Sequence, residues 1–459
     1  MVGKVTFAAV LQNPGFLNLW INQILVQLSL NILNFTLIIY WVFKLTDSNT
    51  AVSALILAIY LPAVLLGLFT GVLVDVIDRR KIIMAIDFFL CILFVSLIFF
   101  KGSFPILLLI TFFINALAQF YSPAEASAIP MVVRKNQLLT ANSIFSATLY
   151  SAFLVGFGLA GPLINHLGID LVFGLGAGVL AVAFLLSLIF PSIKSVPDVQ
   201  GKRLISALSL RKYSEILQIG RSEIRQTLRL IRGKLLVLTS IVILAGVQMG
   251  TGIMAVLAPG FLEKSLQIKA TDASYVLVIP LGLGIVIGGI ILGRIGSSLV
   301  KRKLVARAIL FVGLILFLVG FAPLISPAIR YFKQPTPVPF LYQLPLSKIL
   351  IAGSFLIGMA VVSILVSSQT VLQQNTPEAD RGKVFSVLGV AMSALSLVPV
   401  FLTGILADIF GTTPIFIGLG FLITLVGLFG LKPNLFFKEE DLSYKVREFL
   451  GLGHWENKN

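Results

Sequence analysis

Charge, histidine and cysteine are all scarce in this chain of 459 residues, and each shortage excludes something. Only 12% of the residues are charged while 58% are hydrophobic. A soluble domain averages about 25% charged residues, so water is not the main solvent here. The single cysteine, Cys91, lies in an apolar run and allows neither a disulfide framework nor a cysteine-based metal motif. The two histidines, His166 and His454, have no metal-ligand neighbour, and no metal or other cofactor is expected. A Gly-x-x-x-x-Gly-Lys-Ser/Thr phosphate loop is missing, which argues against ATP-driven work. A membrane enzyme would need His, Cys or acids clustered within reach of a substrate; the sequence offers no such cluster, and enzymatic activity is not expected. No cleaved signal peptide is read in the first fifteen residues, which carry one lysine and no small-residue cleavage site.

Apolar runs are what the chain has in abundance, with a mean hydropathy of +1.02. Runs near 20 residues read as membrane-spanning helices, placed at roughly 16–43, 51–74, 82–100, 104–123, 140–165, 169–191, 235–261, 272–296, 304–326, 348–374, 384–409 and 412–431. The fold expected is an all-α integral membrane protein of twelve transmembrane helices, each satisfying its own backbone in lipid. A net charge of +16 would suggest nucleic acid in a soluble protein, but the distribution decides otherwise. Of the 35 Lys and Arg, all but Lys44, Lys101, Lys264, Lys269, Arg330, Lys333 and Lys348 fall in one alternate set of loops, in the helix ends that flank it or in the termini. The positive-inside rule places that set, and both termini, in the cytoplasm of a cell-membrane protein. The basicity is orientation, and no nucleic-acid partner is expected.

The helices divide into two blocks. Gly67-Leu-Phe-Thr-Gly71-Val-Leu-Val-Asp75-Val-Ile-Asp-Arg79-Arg80-Lys81 returns 222 positions later as Gly289-Ile-Ile-Leu-Gly293-Arg-Ile-Gly-Ser297-Ser-Leu-Val-Lys301-Arg-Lys303. Ser143–Gly168 aligns with Ser386–Gly411 at an offset of 243, the larger spacing reflecting a longer Pro-rich loop, Pro327–Leu346. Two copies in the same order make a parallel repeat, a construction many secondary transporters share. The organisation expected is an N-terminal six-helix bundle (1–191), a cytoplasmic basic linker (192–234), a C-terminal six-helix bundle (235–432) and a cytoplasmic tail (433–459). In the linker, Arg221, Arg225, Arg229 and Arg232 share one helical face, which suits either a helix on an anionic leaflet or a solvated tie between the halves.

Gly67 and Gly71 lie one turn apart, so a neighbouring backbone can come close. Asp75 follows at the membrane boundary, where its carboxylate could accept hydrogen bonds from the open start of an adjacent helix and latch the cytoplasmic side. The plainer alternative is packing for the glycines and topology for Asp75, Arg79, Arg80 and Lys81. The first helix carries Gln23, Gln27, Asn31 and Asn34 within about 80° of one face. Amides facing lipid are costly, so they belong in a cavity or in interhelical hydrogen bonds. Asn115, Gln119, Gln248, Gln369 and Gln373 are further candidates for a central substrate cavity. Asp87 lies about two turns inside its helix and is either functional or a structural partner. Glu125, Glu378 and Asp408 read mainly as helix-end residues, and Asp75, Asp87 and Glu125 are the candidates for proton coupling.

Gly71-Val-Leu-Val-Asp75-Val-Ile-Asp-Arg79-Arg80-Lys81 resembles the helix 2–3 signature of the major facilitator superfamily. The resemblance extends over the chain through the twelve spans, the duplication, the linker and the Arg381-Gly382 turn. Within the superfamily, Asn13-Pro-Gly-Phe16-Leu-Asn-Leu-Trp20, Ser122-Pro-Ala-Glu-Ala-Ser-Ala-Ile-Pro130 and Leu139-Thr-Ala-Asn142-Ser143 are similar to the drug-, macrolide- and siderophore-exporter branch. It implies that Asp75 is a gating acid docking near Arg381. Gly156-Phe-Gly158-Leu-Ala-Gly161-Pro162 resembles the antiporter signature of exporters, departing from it at Phe157, Asn165 and His166, and Gly161 and Pro162 make this helix bendable. The function expected is secondary active efflux of amphiphilic small molecules, coupled to protons, by a monomer embedded in the lipid bilayer. Import, lysolipid flipping by the same fold, and a membrane-embedded enzyme are the alternatives.

Overall fold

The computed structural model describes residues 7–190, 234–295, 301–323, 346–376 and 381–431. The amphipathic linker face at Arg221–Arg232, the loop 327–345, the tail, Ser297 and Glu378 lie outside them, as do the side chains of Gly71, Asp75 and Arg381. Among the described residues eleven helices are long and apolar enough to cross a membrane: α1 (Pro14–Phe35), α2 (Asn49–Val76), α3 (Arg79–Phe100), α4 (Phe104–Val132), α5 (Leu138–Ser187), α6 (Leu235–Gly260), α7 (Ile279–Ile295), α8 (Lys301–Gly320), α9 (Leu346–Gln374), α10 (Arg381–Phe410) and α11 (Thr412–Leu431).

Eleven becomes twelve at α5. Its 50 residues would extend about 75 Å at 1.5 Å per residue, more than twice the hydrocarbon thickness of about 30 Å. The helix breaks at Gly168, where φ is 75° and ψ is 167°, a conformation open essentially to glycine alone. The two arms are the fifth and sixth crossings, joined by a single glycine and not by the polar loop usual between spans. Gly411, at the matching position of the repeat, also has positive φ, 83°, and separates α10 from α11. Helix starts repeat likewise: Arg79 of α3 matches Lys301 of α8, and Leu138 of α5 matches Arg381 of α10. Two expected boundaries move. The first helix ends as α-helix at Phe35 and continues through a π-helical turn, Thr36–Trp41, where the Thr36 hydroxyl donates to Ile32 O at 2.7 Å and competes with the regular backbone ladder. The fourth runs to Val132 and not to 123, because Pro123 removes one backbone donor without ending the helix.

The described residues group into two compact units, one of residues 1–41 and 57–226, the other of residues 42–56 and 227–459. In the first, α1 packs on α5, and α3 on α4 and α5. Gly156 permits the α1–α5 approach, since a Cβ there would lie 2.6 Å from Asn31 Cβ. Asn13 caps α1 through Oδ1, accepting from Gly15 N (3.0 Å) and Phe16 N (3.3 Å), while its Nδ2 donates to Val132 O at the end of α4 (2.6 Å). The basic turn is also built into this unit. Arg79 is buried and its Nε donates to Ser127 Oγ at 3.3 Å, and Arg80 donates to Leu188 O at 2.6 Å. Phe89, Phe99 and Leu109 of α3 and α4 are exposed, as an apolar solvent permits.

In the second unit glycines bring backbones together, the packing mode favoured where lipid supplies no hydrophobic drive between helices. A Cβ on Gly284 of α7 would fall 2.0 Å from Phe355 O of α9, and one on Gly358 of α9 would fall 2.0 Å from Leu281 O of α7. Helices α8 and α11 meet the same way through Gly313, Gly320, Gly420 and Gly427. Val237, Ile241 and Leu244 of α6 form an apolar core with Leu372, Val384 and Leu388 of α9 and α10.

Candidate functional site

Burying one acid in an apolar helical unit is expensive, and the first unit buries two. Asp87 of α3 is 0% exposed and Glu125 of α4 is 3% exposed. They are joined by a chain of hydrogen bonds through Asn22 of α1 and Tyr121 of α4. Asn22 Nδ2 donates to Asp87 Oδ2 at 2.8 Å and to Ala183 O of α5 at 3.0 Å. Asn22 Oδ1 accepts from the Tyr121 hydroxyl at 2.7 Å, and the same hydroxyl lies 3.1 Å from Glu125 Oε1. Four helices thus meet at one polar thread, and no cationic side chain bonds to either acid among the described residues.

Counting protons along the thread fixes its direction. Ala183 O can only accept, so the Asn22 amide must present Nδ2 to it and Oδ1 to Tyr121. The single phenolic proton is then committed to Asn22. The contact between Tyr121 and Glu125 is a hydrogen bond only if Glu125 supplies the second proton, as a neutral carboxylic acid. Asp87 Oδ1 is buried with no partner among the described residues, and a buried polar atom left in that state is a place where a proton or a ligand group is missing. The arrangement brings two buried carboxyl groups, Asp87 and Glu125, onto one hydrogen-bonded chain through Asn22 and Tyr121.

The other sequence-predicted residues are scattered around this thread. Gln23 is buried and its Nε2 donates to Phe145 O of α5 at 3.4 Å. Gln27 is half-buried, its backbone carbonyl accepting from Asn31 Nδ2 at 2.7 Å, and Asn34 is half-buried near the end of α1. Asn115 donates to Thr111 O of its own helix at 2.9 Å. Gln119, Gln248 and Gln369 are half-buried and Gln373 is exposed. Gly67 accepts from Thr70 Oγ1 at 3.1 Å, Lys81 is exposed, and Gly161 and Pro162 lie well inside α5. Glu125 corrects the helix-end reading, since α4 continues seven residues past it to Val132. Asn22 and Tyr121 were not anticipated. The available signal was the Tyr121–Glu125 spacing of four, which puts both on one helix face. Asn22 was masked by its neighbour Gln23, which falls on the four-amide face.

A duplicated set of apolar helices with a buried titratable thread defines the class, a multi-pass membrane protein built as secondary transporters are. Residues 19–342 match the model of the Major Facilitator Superfamily, and the chain belongs to that family. A curated relative, the uncharacterised MFS-type transporter YkuC of Bacillus subtilis (strain 168), is 24% identical over 324 residues, covering 68% of this chain and 72% of that protein. Among solved structures, a POT family transporter in complex with 5-aminolevulinic acid has a TM-score of 0.67 at 14% identity, covering 92% of this chain and 97% of its own. The nucleoside transporter NupG has a TM-score of 0.61 at 15% identity, covering 91% of this chain and 100% of its own. At these identities the structures share the fold. The chain is therefore a secondary transporter of the major facilitator type.

Proposed function

We propose that this transporter exports amphiphilic small molecules in exchange for protons, by alternating access. The observation that carries the coupling is the Asp87–Asn22–Tyr121–Glu125 thread, two buried acids linked by neutral relays in the first unit. Intramembrane carboxylates without a cationic partner mark proton pathways. The exchange direction draws on the resemblance of Gly156–Pro162 to the antiporter signature. The amphiphilic class draws on the half-buried amides Gln27, Asn31, Gln119, Gln248 and Gln369, which offer hydrogen bonds amid apolar helix faces. The resemblance to the helix 2–3 signature makes Gly67, Gly71, Asp75 and Arg381 the gating residues, and both termini are cytoplasmic.

The test uses everted cell-membrane vesicles holding the protein, an imposed inside-acid gradient, and a panel of drugs, siderophores and lysolipids. Accumulation of a panel member is expected, collapsing with a protonophore and in Glu125→Gln. Accumulation only under the opposite gradient would replace exchange by cotransport with protons, and accumulation indifferent to the gradient would remove the coupling.

A further inference from the structure

The second unit contains residues 42–56 together with 227–459, so α2 is divided. Its first turns, up to Ile56, belong to the second unit, and the rest, from Leu57, to the first. The first turn is held by Asp408, near the end of α10. Asp408 Oδ1 accepts from Asn49 N at 2.7 Å and Asn49 Nδ2 at 2.9 Å, and Oδ2 accepts from Thr50 N at 2.9 Å and Ser48 Oγ at 2.6 Å. Ser48 Oγ in turn accepts from Ala51 N at 3.3 Å. A helix start leaves its first N–H groups without intrahelical partners and carries partial positive charge. Here a carboxylate some 360 residues away in sequence satisfies both needs.

Two further contacts surround this cap. Gly404, one turn before Asp408, lets α10 lie directly on α2, since a Cβ there would fall 2.4 Å from Ser53 Oγ and 2.7 Å from Asn49 O. Lys264 pairs with Asp47 Oδ1 at 2.9 Å, donates to Asp47 O at 3.1 Å, and sits 5.2 Å over the Phe43 ring. Asp47, next to Ser48, has φ of 50°, a left-handed conformation uncommon outside glycine and the kind of local strain that persists only where surrounding contacts enforce it.

We propose that Asp408 is a gating residue, a releasable catch that ties the first turn of α2 to α10 at the end of α2 opposite the Arg79–Lys81 turn. Opening of that end during transport breaks its four hydrogen bonds. The carboxylate is exposed, so water can replace each bond as it breaks, and the strained Asp47 turn relaxes with it. The inference rests on alternating access but on neither the substrate nor the proton, so it stands or falls separately from the coupling thread.

The test needs no substrate. Cys91 is the only native cysteine and is replaced by serine. Ser53, fully buried beside Gly404, becomes the reporter as Ser53→Cys, and Ser187→Cys, equally buried in the first unit, is the control. Labelling by a hydrophilic maleimide is followed with the protein in nanodiscs. Asp408→Ala is expected to raise the rate at Ser53→Cys by about tenfold or more, Asp408→Asn and Lys264→Met by less, with the rate at Ser187→Cys unchanged in each. An unchanged rate at Ser53→Cys in all three overturns the catch. A rise of equal size at both reporters also overturns it, because Asp408 would then hold the fold and not a gate. If Asp408→Ala does not fold, Asp408→Asn and Lys264→Met give the same decision.

Discussion

Asp408 stands exposed at a helix end and receives four hydrogen bonds, two of them from backbone N–H groups. Asp87 is fully buried and receives one. Solvent access would predict the reverse, because water could satisfy Asp408 and cannot reach Asp87. The difference separates two uses of a carboxylate. Asp408 is surrounded by donors only, which suit a permanent negative charge. Asp87 has a single donor and a bare second oxygen, and Glu125 faces a hydroxyl whose proton is committed elsewhere, which suits groups that take up and give back a proton.

Substitutions can break this contrast, and the largest effect belongs at the buried end. Asn22→Leu removes the one donor to Asp87 among the described residues. Leaving a buried charge without its partner costs about 3–5 kcal/mol, so a large fall in thermal unfolding temperature in detergent is expected. A fall no greater than that of a surface substitution would show the thread to be incidental. Asp87→Asn removes the charge and keeps the shape, so stability should change by about 1 kcal/mol or less while gradient-driven transport is lost and substrate exchange persists. Full gradient-driven transport in that variant would take Asp87 out of the pathway.

At the exposed end the effects are smaller and of another kind. Asp408→Ala removes a helix cap and a favourable charge at a helix start, together about 1–2 kcal/mol, read as a modest loss of thermal stability. A loss as great as that in Asn22→Leu would erase the distinction between the two acids. Lys264→Met removes a solvent-exposed ion pair, worth about 1 kcal/mol at most and screened by salt. Its effect on unfolding temperature should fade in molar salt, and an effect that persists there would mean packing over Phe43 matters more than charge.

Much of the architecture is legible from residues alone, because lipid imposes one rule on every span. The repeat pairs the basic turns at Arg79 and Lys301, where the helices start three residues ahead of the expected 82 and 304, and pairs Gly168 with Gly411, whose positive φ angles glycine adopts readily. The site was legible in part. Asp87 and Glu125 stand out as acids in apolar surroundings, but Glu125 falls just past the expected end of its span at 123, and the helix runs on to Val132. Asn22 and Tyr121 escaped because periodicity assigns a residue to a face and says nothing about which neighbours that face meets. Asp408 escaped for a related reason. The carboxylate capping a helix start was sought at Asp75, where the sequence motif lies, whereas the geometry occurs where two helix ends distant in sequence come together.

The central claim is that the buried thread holds the proton the transport cycle moves, and that Glu125 carries it in this conformation. Infrared spectroscopy of the protein in nanodiscs tests it directly through the carbonyl stretch of a protonated carboxylic acid. A band that shifts in heavy water, is present in the wild type and is missing in Glu125→Gln is the predicted result. Spectra of the two proteins that coincide in this region would contradict the account.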